Sequence, residues 1–134
     1  MSEGMAGRAE GRCLCGGIEV TITGPLRPVT NCHCHRCRRF TGHFLAATQA
    51  ALDDVEIRDA SGSLASFAVP GAAYQFCRTC GSSLFWQSDD TLDRLSIAAG
   101  ILDPPTGLVT EATWFVSEAS DYHVRQDVPE WETE

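Results

Sequence analysis

The cysteines of this chain constrain its fold more than any other feature of the sequence. Disulfide frameworks need an oxidising compartment and usually an even number of cysteines, whereas this chain has seven and begins without the apolar core of a signal peptide. Close spacing in such a chain indicates metal ligands instead. The seven fall into three short groups: Cys13 and Cys15 as C-x-C, Cys32, Cys34 and Cys37 as C-x-C-x-x-C, and Cys77 and Cys80 as C-x-x-C.

Length and charge narrow the possible functions. The 134 residues suffice for one domain, which we place at residues 11–134 behind a flexible leader over residues 1–10. The net charge is −8 and the chain has no lysine, so a nucleic-acid partner, which requires a basic surface, is not expected. No apolar run reaches the ~20 residues that span a bilayer. We therefore expect no membrane association and a cytoplasmic protein.

Alternating polar and apolar residues predict strands between the cysteine groups. Ile18, Val20 and Ile22 alternate with polar residues, and glycine or proline turns lie on both sides. Residues 44–51 could form a strand or a brief helix, and residues 36–42 a short helical turn. The predicted class is all-β or nearly so, with further strands of similar pattern at residues 55–58, 64–69, 73–76, 83–87 and 95–99.

The two outer cysteine pairs can supply one closed metal site. Zinc prefers four tetrahedral ligands and binds thiolates at about 2.3 Å. Gly16 and Gly81 each directly follow a pair and favour the turn that places both sulfurs on one ion. The central cysteines could instead join the last pair, and a four-thiolate site also accepts iron. With the outer pairs together, the structural zinc ligands are Cys13, Cys15, Cys77 and Cys80.

The central group then has one ligand too few for a closed site. Structural zinc sites have four protein ligands, whereas catalytic sites usually have three and keep one position for water or substrate. The count favours an open second zinc held by Cys32, Cys34 and Cys37. Alternatively, His35 or His43 completes a structural site. His33 is disfavoured, because a strand-like C-x-C would point it to the opposite side.

Three arginines lie within and beside the central cysteine group, at Arg36, Arg38 and Arg39. Guanidinium groups bind carboxylates bidentately, so an open metal among them suggests an anionic substrate that carries a thiol. Arg38 and Arg39 are the candidate substrate contacts. Alternatively, the arginines only neutralise the thiolates.

Four segments taken together are specific enough to indicate a family. They are GRCLCGG at 11–17, CHCHRCRRFTG at 32–42, FCRTCGS at 76–82 and AGILD at 99–103. As a set they resemble the glutathione-dependent formaldehyde-activating enzyme family, which includes centromere protein V. The resemblance covers residues 11–103 well and the aromatic tail loosely.

The resemblance implies a β-rich tent fold with the cysteine turns at its edges. It also implies structural zinc at the outer pairs and exchangeable zinc at the central group. The family's reaction joins glutathione to formaldehyde to give S-hydroxymethylglutathione, formally a carbon–sulfur lyase acting in reverse. We therefore expect a zinc-dependent lyase-like enzyme that acts on a small thiol such as glutathione and a small aldehyde such as formaldehyde. The alternative is a non-catalytic zinc domain for protein interaction or metal handling.

Overall fold

The structure, a computed structural model, describes residues 7–134, and nearly all of its regular elements are strands. The single α-helix of this part of the chain, α1, spans His35–Thr41, and three short 3-10 turns span Leu52–Asp54, Ala99–Ile101 and Val116–Glu118. The strands are β1 (Arg8–Arg12), β2 (Glu19–Thr23), β3 (Val29–Cys32), β4 (Leu45–Ala51), β5 (Val55–Arg58), β6 (Leu64–Val69), β7 (Ala72–Cys77), β8 (Ser83–Ser88), β9 (Arg94–Ala98), β10 (Thr110–Trp114) and β11 (Glu130–Trp131).

The strands form two sheets. A three-stranded antiparallel sheet has the order β1-β2-β5, and an eight-stranded sheet has the order β11-β10-β3-β4-β9-β8-β7-β6. In the larger sheet β10 pairs in parallel with both β3 and β11, and the remaining neighbours are antiparallel. The all-β prediction is therefore confirmed.

The main core lies between the two sheets. Val20 and Ile22 of β2 are almost wholly buried, and they belong to the same apolar cluster as Phe85 of β8 and Ile97 of β9. Each fully buried side chain of this size contributes roughly 1.5–3 kcal/mol relative to exposure. Because successive side chains of a strand point to opposite faces, one set of residues of the large sheet faces the small sheet and the other set faces away from it.

Most of the predicted elements occur where the sequence pattern placed them. Residues 44–51, which could have been strand or helix, form strand β4, and residues 36–42 lie mostly in α1. Among residues 7–134 no helix is long and apolar enough to cross a membrane.

The predicted leader over residues 1–10 is wrong at its C-terminal end. Arg8, Ala9 and Glu10 begin strand β1 and pair with Thr23, Ile22 and Thr21 of β2. Ala9 also packs against the main core, which gives this segment a reason to be ordered. Residues 1–6 lie outside the described residues.

Candidate metal centres and an adjoining cavity

Four cysteines from two distant turns form the first candidate metal centre. Cys13 and Cys15 lie in the turn between β1 and β2, Cys77 ends β7, and Cys80 lies in the turn between β7 and β8. Gly16 (φ 79°) and Gly81 (φ 80°) adopt left-handed backbone conformations that favour glycine. The two turns also contact each other directly, because the Leu14 backbone N–H donates to Ser82 Oγ over 2.9 Å. The tips of these turns thus hold the small sheet to the large one.

The sulfur atoms of this group have the spacing that zinc requires. Cys13 Sγ lies 3.6 Å from Cys15 Sγ, and Cys15 Sγ lies 3.9 Å from Cys77 Sγ. Four thiolates bound tetrahedrally at about 2.3 Å would be separated by roughly 3.8 Å. All four sulfurs lie within 4.8 Å of one another. The donor set therefore fits a closed tetrathiolate zinc site, and no disulfide joins any of the seven cysteines.

Hydrogen bonds in the same turns favour the thiolate forms of Cys13 and Cys80. The Ile18 backbone N–H donates to Cys13 Sγ over 3.3 Å, and Ser82 Oγ lies 3.1 Å from Cys80 Sγ. The Ser82 side chain and its backbone N–H lower the pKa of Cys80 to about 5. Because metal ligands must be deprotonated, this local environment assists metal binding.

The central cysteines form a second candidate centre around the start of α1. Cys32 ends β3, Cys34 is the N-cap of α1, and Cys37 lies in the first turn of the helix. The Cys37 backbone N–H donates to Cys34 Sγ over 3.4 Å. Hydrogen bonds from the other two thiols lower the pKa of Cys34, and the same contact with Cys34 raises the pKa of Cys32, so Cys34 is the first of the three to lose its proton. The three sulfurs lie within 4.8 Å of one another, which also suits a shared metal ion.

None of the nearby histidines joins this second group. His33 is fully buried on the other side of the strand, where its ring contacts His43, Phe44 and His123. Burial, with His123 and His43 close by, lowers the pKa of His33 to about 4. The Nδ1 atom of His35 lies 3.3 Å from the carboxylate of Glu118 instead of at the sulfurs. Within residues 7–134 the central group therefore has three ligands.

A cavity of about 300 Å³ adjoins the three central cysteines, and all three line it. Its floor is the face of the large sheet that points away from the main core. The α1 helix and the segment around Phe115 and Glu118 form its sides. Alternate residues of neighbouring strands make the floor: Thr30, Leu45, Ala47, Gln49, Tyr74, Trp86, Ser96 and Trp114.

Tyr74 brings a hydroxyl group to the second centre. Its oxygen lies 3.5 Å from Cys37 Sγ, and its side chain is almost wholly buried. Burial, together with the hydrogen bond to Cys37, raises the pKa of Tyr74, so the phenol stays protonated and can donate a hydrogen bond. In the sheet Tyr74 pairs with Trp86 on the neighbouring strand.

Of the three arginines around the central cysteines, only Arg36 lines the cavity. Successive helical residues are about 100° apart, and with Cys37 facing inward Arg38 and Arg39 point elsewhere. Arg39 lines an adjoining apolar groove with Phe40 and Phe67. Arg38 and Arg39, our predicted substrate contacts, are therefore not part of the cavity wall.

The sequence interpretation missed Arg27, Tyr74, Trp86 and Trp114. Nothing in the local sequence distinguishes these four residues, because many other polar and aromatic residues also lie in a strand or next to one. They meet because the strand order and register bring β3, β7, β8 and β10 to one face. Such convergence has no signature in a single sequence.

Comparison with known proteins agrees with this architecture. A family model described as "Glutathione-dependent formaldehyde-activating enzyme" matches residues 8–118. A crystal structure of a Rhodobacter sphaeroides protein is similar, with a TM-score of 0.59 and 28% sequence identity. The similarity covers 75% of this chain and 97% of that chain. None of the curated proteins compared with the chain matches it significantly.

Fold and site together define a class: a mostly β protein with two cysteine groups that could hold metal ions, one of them beside a cavity. The match extends from Arg8 in the first strand to the cavity-lining residue Glu118, and so includes both cysteine groups. The chain belongs to the glutathione-dependent formaldehyde-activating enzyme family.

Proposed function

We propose that this chain is a zinc-dependent carbon–sulfur lyase-like enzyme that joins a low-molecular-weight thiol such as glutathione to a small aldehyde such as formaldehyde. The observation that carries the proposal is that a group of three cysteines, one ligand short of a closed site, opens into a cavity. A purely structural site would need a fourth protein ligand and no cavity. The family description points in the same direction.

Two zinc ions per chain fit the donor sets. Cys13, Cys15, Cys77 and Cys80 would hold a structural ion, and Cys32, Cys34 and Cys37 an exchangeable one. When bound at the second group, zinc supplies Lewis acidity that lowers the pKa of a substrate thiol and favours its thiolate.

The reaction itself requires no oxidant or reductant. The thiol sulfur forms a bond to the carbonyl carbon, the carbonyl π electrons move to the oxygen, and that oxygen takes up a proton equivalent to the one that the thiol loses. The atoms of thiol and aldehyde are all retained in the hydroxymethyl thioether. The protein therefore needs to position two small molecules and stabilise charge on one oxygen.

Tyr74 is placed to stabilise that oxygen. Its hydroxyl lies 3.5 Å from Cys37 Sγ inside the cavity, and its raised pKa keeps it a hydrogen-bond donor. A neutral donor in a partly desolvated cavity can stabilise a developing alkoxide more strongly than water can. Trp86 and Leu45 give the cavity floor an apolar surface that limits the number of water molecules around the reacting atoms.

Exchange NMR tests the proposal. Glutathione and ¹³C-formaldehyde form their adduct spontaneously, so the measurement is the rate of exchange between hydrated formaldehyde and the adduct. We expect the zinc-loaded protein to increase this rate about tenfold or more at micromolar concentration. The Cys37→Ser variant should lose the increase, whereas Arg58→Gln, an exposed change away from the cavity, should keep it. A folded protein with two zinc ions that leaves the rate unchanged would favour the non-catalytic zinc domain.

A further inference from the structure

Arg27 is held rigidly in the cavity by neutral partners. Its Nη2 donates to Thr30 Oγ1 and to the Ala47 carbonyl oxygen, each over 3.0 Å, and its Nε donates to the Pro28 carbonyl oxygen over 3.2 Å. The guanidinium carbon lies 5.1 Å from the centre of the Trp114 ring, within cation–π range. These contacts use three of the five guanidinium N–H groups and leave those of Nη1 without a partner among residues 7–134.

The positive charge of Arg27 has no carboxylate partner in the described part of the chain. No Asp or Glu oxygen of residues 7–134 comes within the 4.0 Å of an ion pair with it. Burial lowers the pKa of Arg27, and the more distant Glu111 and Glu134 act against that change. A guanidinium remains charged even so, and a half-buried charge without a counter-ion is costly. The arrangement suits an anion supplied from outside.

The sheet sets the distance from this cation to the second cysteine group. Thr30, which accepts from Arg27, and Cys32 are two residues apart on β3, so both face the cavity. Two residues of strand span roughly 7 Å. An extended peptide advances by roughly 3.5 Å per residue. A carboxylate one residue beyond a cysteine could therefore reach Arg27 while the cysteine thiol lies at the three-cysteine group.

We infer that Arg27 binds a carboxylate of the thiol substrate, and that the enzyme selects thiols whose carboxylate lies about one residue from the thiol-bearing carbon. This inference rests on the proposed function, because it takes the thiol to enter at Cys32, Cys34 and Cys37. It assigns the anion-binding role to a residue outside the cysteine motifs. The free Nη1 group and the fixed guanidinium plane allow a charge-assisted hydrogen bond at little cost in side-chain entropy.

Two peptides that differ only in charge test the inference. Cysteinylglycine carries the carboxylate, and cysteinylglycine amide replaces it with a neutral group of the same size. Isothermal titration calorimetry on the zinc-loaded protein should show that the acid binds about ten- to a hundredfold more tightly, the range for a hydrogen bond to a charged group. In Arg27→Gln the two peptides should bind equally, and in Arg58→Gln, an exposed arginine paired with Glu19, the preference should persist.

The outcomes separate the inference from the proposed function. Equal binding of acid and amide to the wild-type protein, with binding lost when the sulfur is methylated, would overturn the role of Arg27 and leave the proposed function standing. An acid preference that survives in a folded Arg27→Gln variant would also overturn it. Failure of both peptides to bind the wild-type protein would overturn both proposals. If Arg27→Gln does not fold, Arg36→Gln separates the two arginines that line the cavity: the acid preference should persist in it, and its loss would overturn the role of Arg27.

Discussion

The Sγ atom of Cys37 and the hydroxyl oxygen of Tyr74 lie 3.5 Å apart, so α1 contacts the large sheet at the end of the cavity that the three cysteines line. Phe40 of the same helix also packs on the Tyr74 ring, with centroids 4.9 Å apart. Tyr74 is thus contacted on two sides, at its ring by Phe40 and at its hydroxyl by Cys37. The role of the Tyr74 hydroxyl can therefore be tested with a substitution that removes only its oxygen atom.

The variant Tyr74→Phe should lower kcat by about ten- to a hundredfold, because a hydrogen bond to the developing oxyanion is lost. Zinc content should remain at the wild-type value, since Tyr74 is not a ligand. The matched control is Tyr122→Phe, which removes another hydroxyl that bonds only to the Gly42 carbonyl oxygen. Equal rates for wild type and Tyr74→Phe would exclude the phenol from the chemistry.

The variant Cys80→Ser should fail to give a stably folded domain. The outer cysteine group joins the two sheets, and structural zinc contributes an apparent ~10–16 kcal/mol to folding. That is as large as the whole stability of a typical domain, about 5–15 kcal/mol. Circular dichroism and thermal unfolding will measure the effect. A soluble Cys80→Ser protein with a cooperative transition near that of the wild type would contradict a structural role for this group.

The variant Cys37→Ser should behave differently. It should lose one zinc equivalent, measured by elemental analysis, yet remain folded with an unfolding temperature lowered by about 10 °C or less. The reason is that the outer group and the core between the sheets stay intact. Unfolding as severe as that of Cys80→Ser would show that the central metal is structural.

His123 should make the protein less stable in mild acid. Burial lowers the pKa of His123, and the nearby His43 and Arg125 lower it further, whereas Glu130 raises it. The ring of His33 also packs against His123, with centroids 4.1 Å apart. The folded state therefore binds a proton less readily than the unfolded chain, where the histidine pKa is about 6.5. Its contribution to stability is present above that pH and is lost as the pH falls toward the folded-state pKa.

Urea unfolding at about pH 7.5 and pH 5.5 will measure this dependence. The free energy of unfolding of the wild type should fall more between the two values than that of His123→Phe. Tyr122→Phe, which keeps the histidine, should follow the wild type. The same decrease in His123→Phe and wild type would show that this ring does not carry the pH dependence.

Much of the architecture could be predicted from local patterns. The alternation of Val20 and Ile22 with polar residues marked β2, because a half-buried strand repeats every two residues. The cysteine spacings marked the turns that carry the sulfurs, since two ligands of one ion must be close in space. The resemblance of the flanking residues then indicated the pairing of the outer groups.

The cavity could not be predicted in this way. The contact of Arg27 with Ala47, or of Cys37 with Tyr74, depends on which strands are neighbours and in what register, and neither is encoded within one segment. Arg38 and Arg39 were predicted as substrate contacts because they lie close to the cysteines in sequence. Both lie in α1, where the helical rotation points them away from the cavity. Arg8 to Glu10 were assigned to a leader because small and charged residues carry little strand signal, although pairing with β2 orders them.

The most direct test of the central claim compares glutathione with S-methylglutathione as ligands of the zinc-loaded protein. The two molecules share every charge and differ only in whether the sulfur can become a thiolate. We expect calorimetry to detect glutathione binding that strengthens as the pH rises toward the thiol pKa and weakens moderately as salt screens the arginine contacts. No binding of S-methylglutathione should be detectable under the same conditions. Equal affinity for the two would contradict the claim that the three-cysteine centre receives the thiol of the substrate.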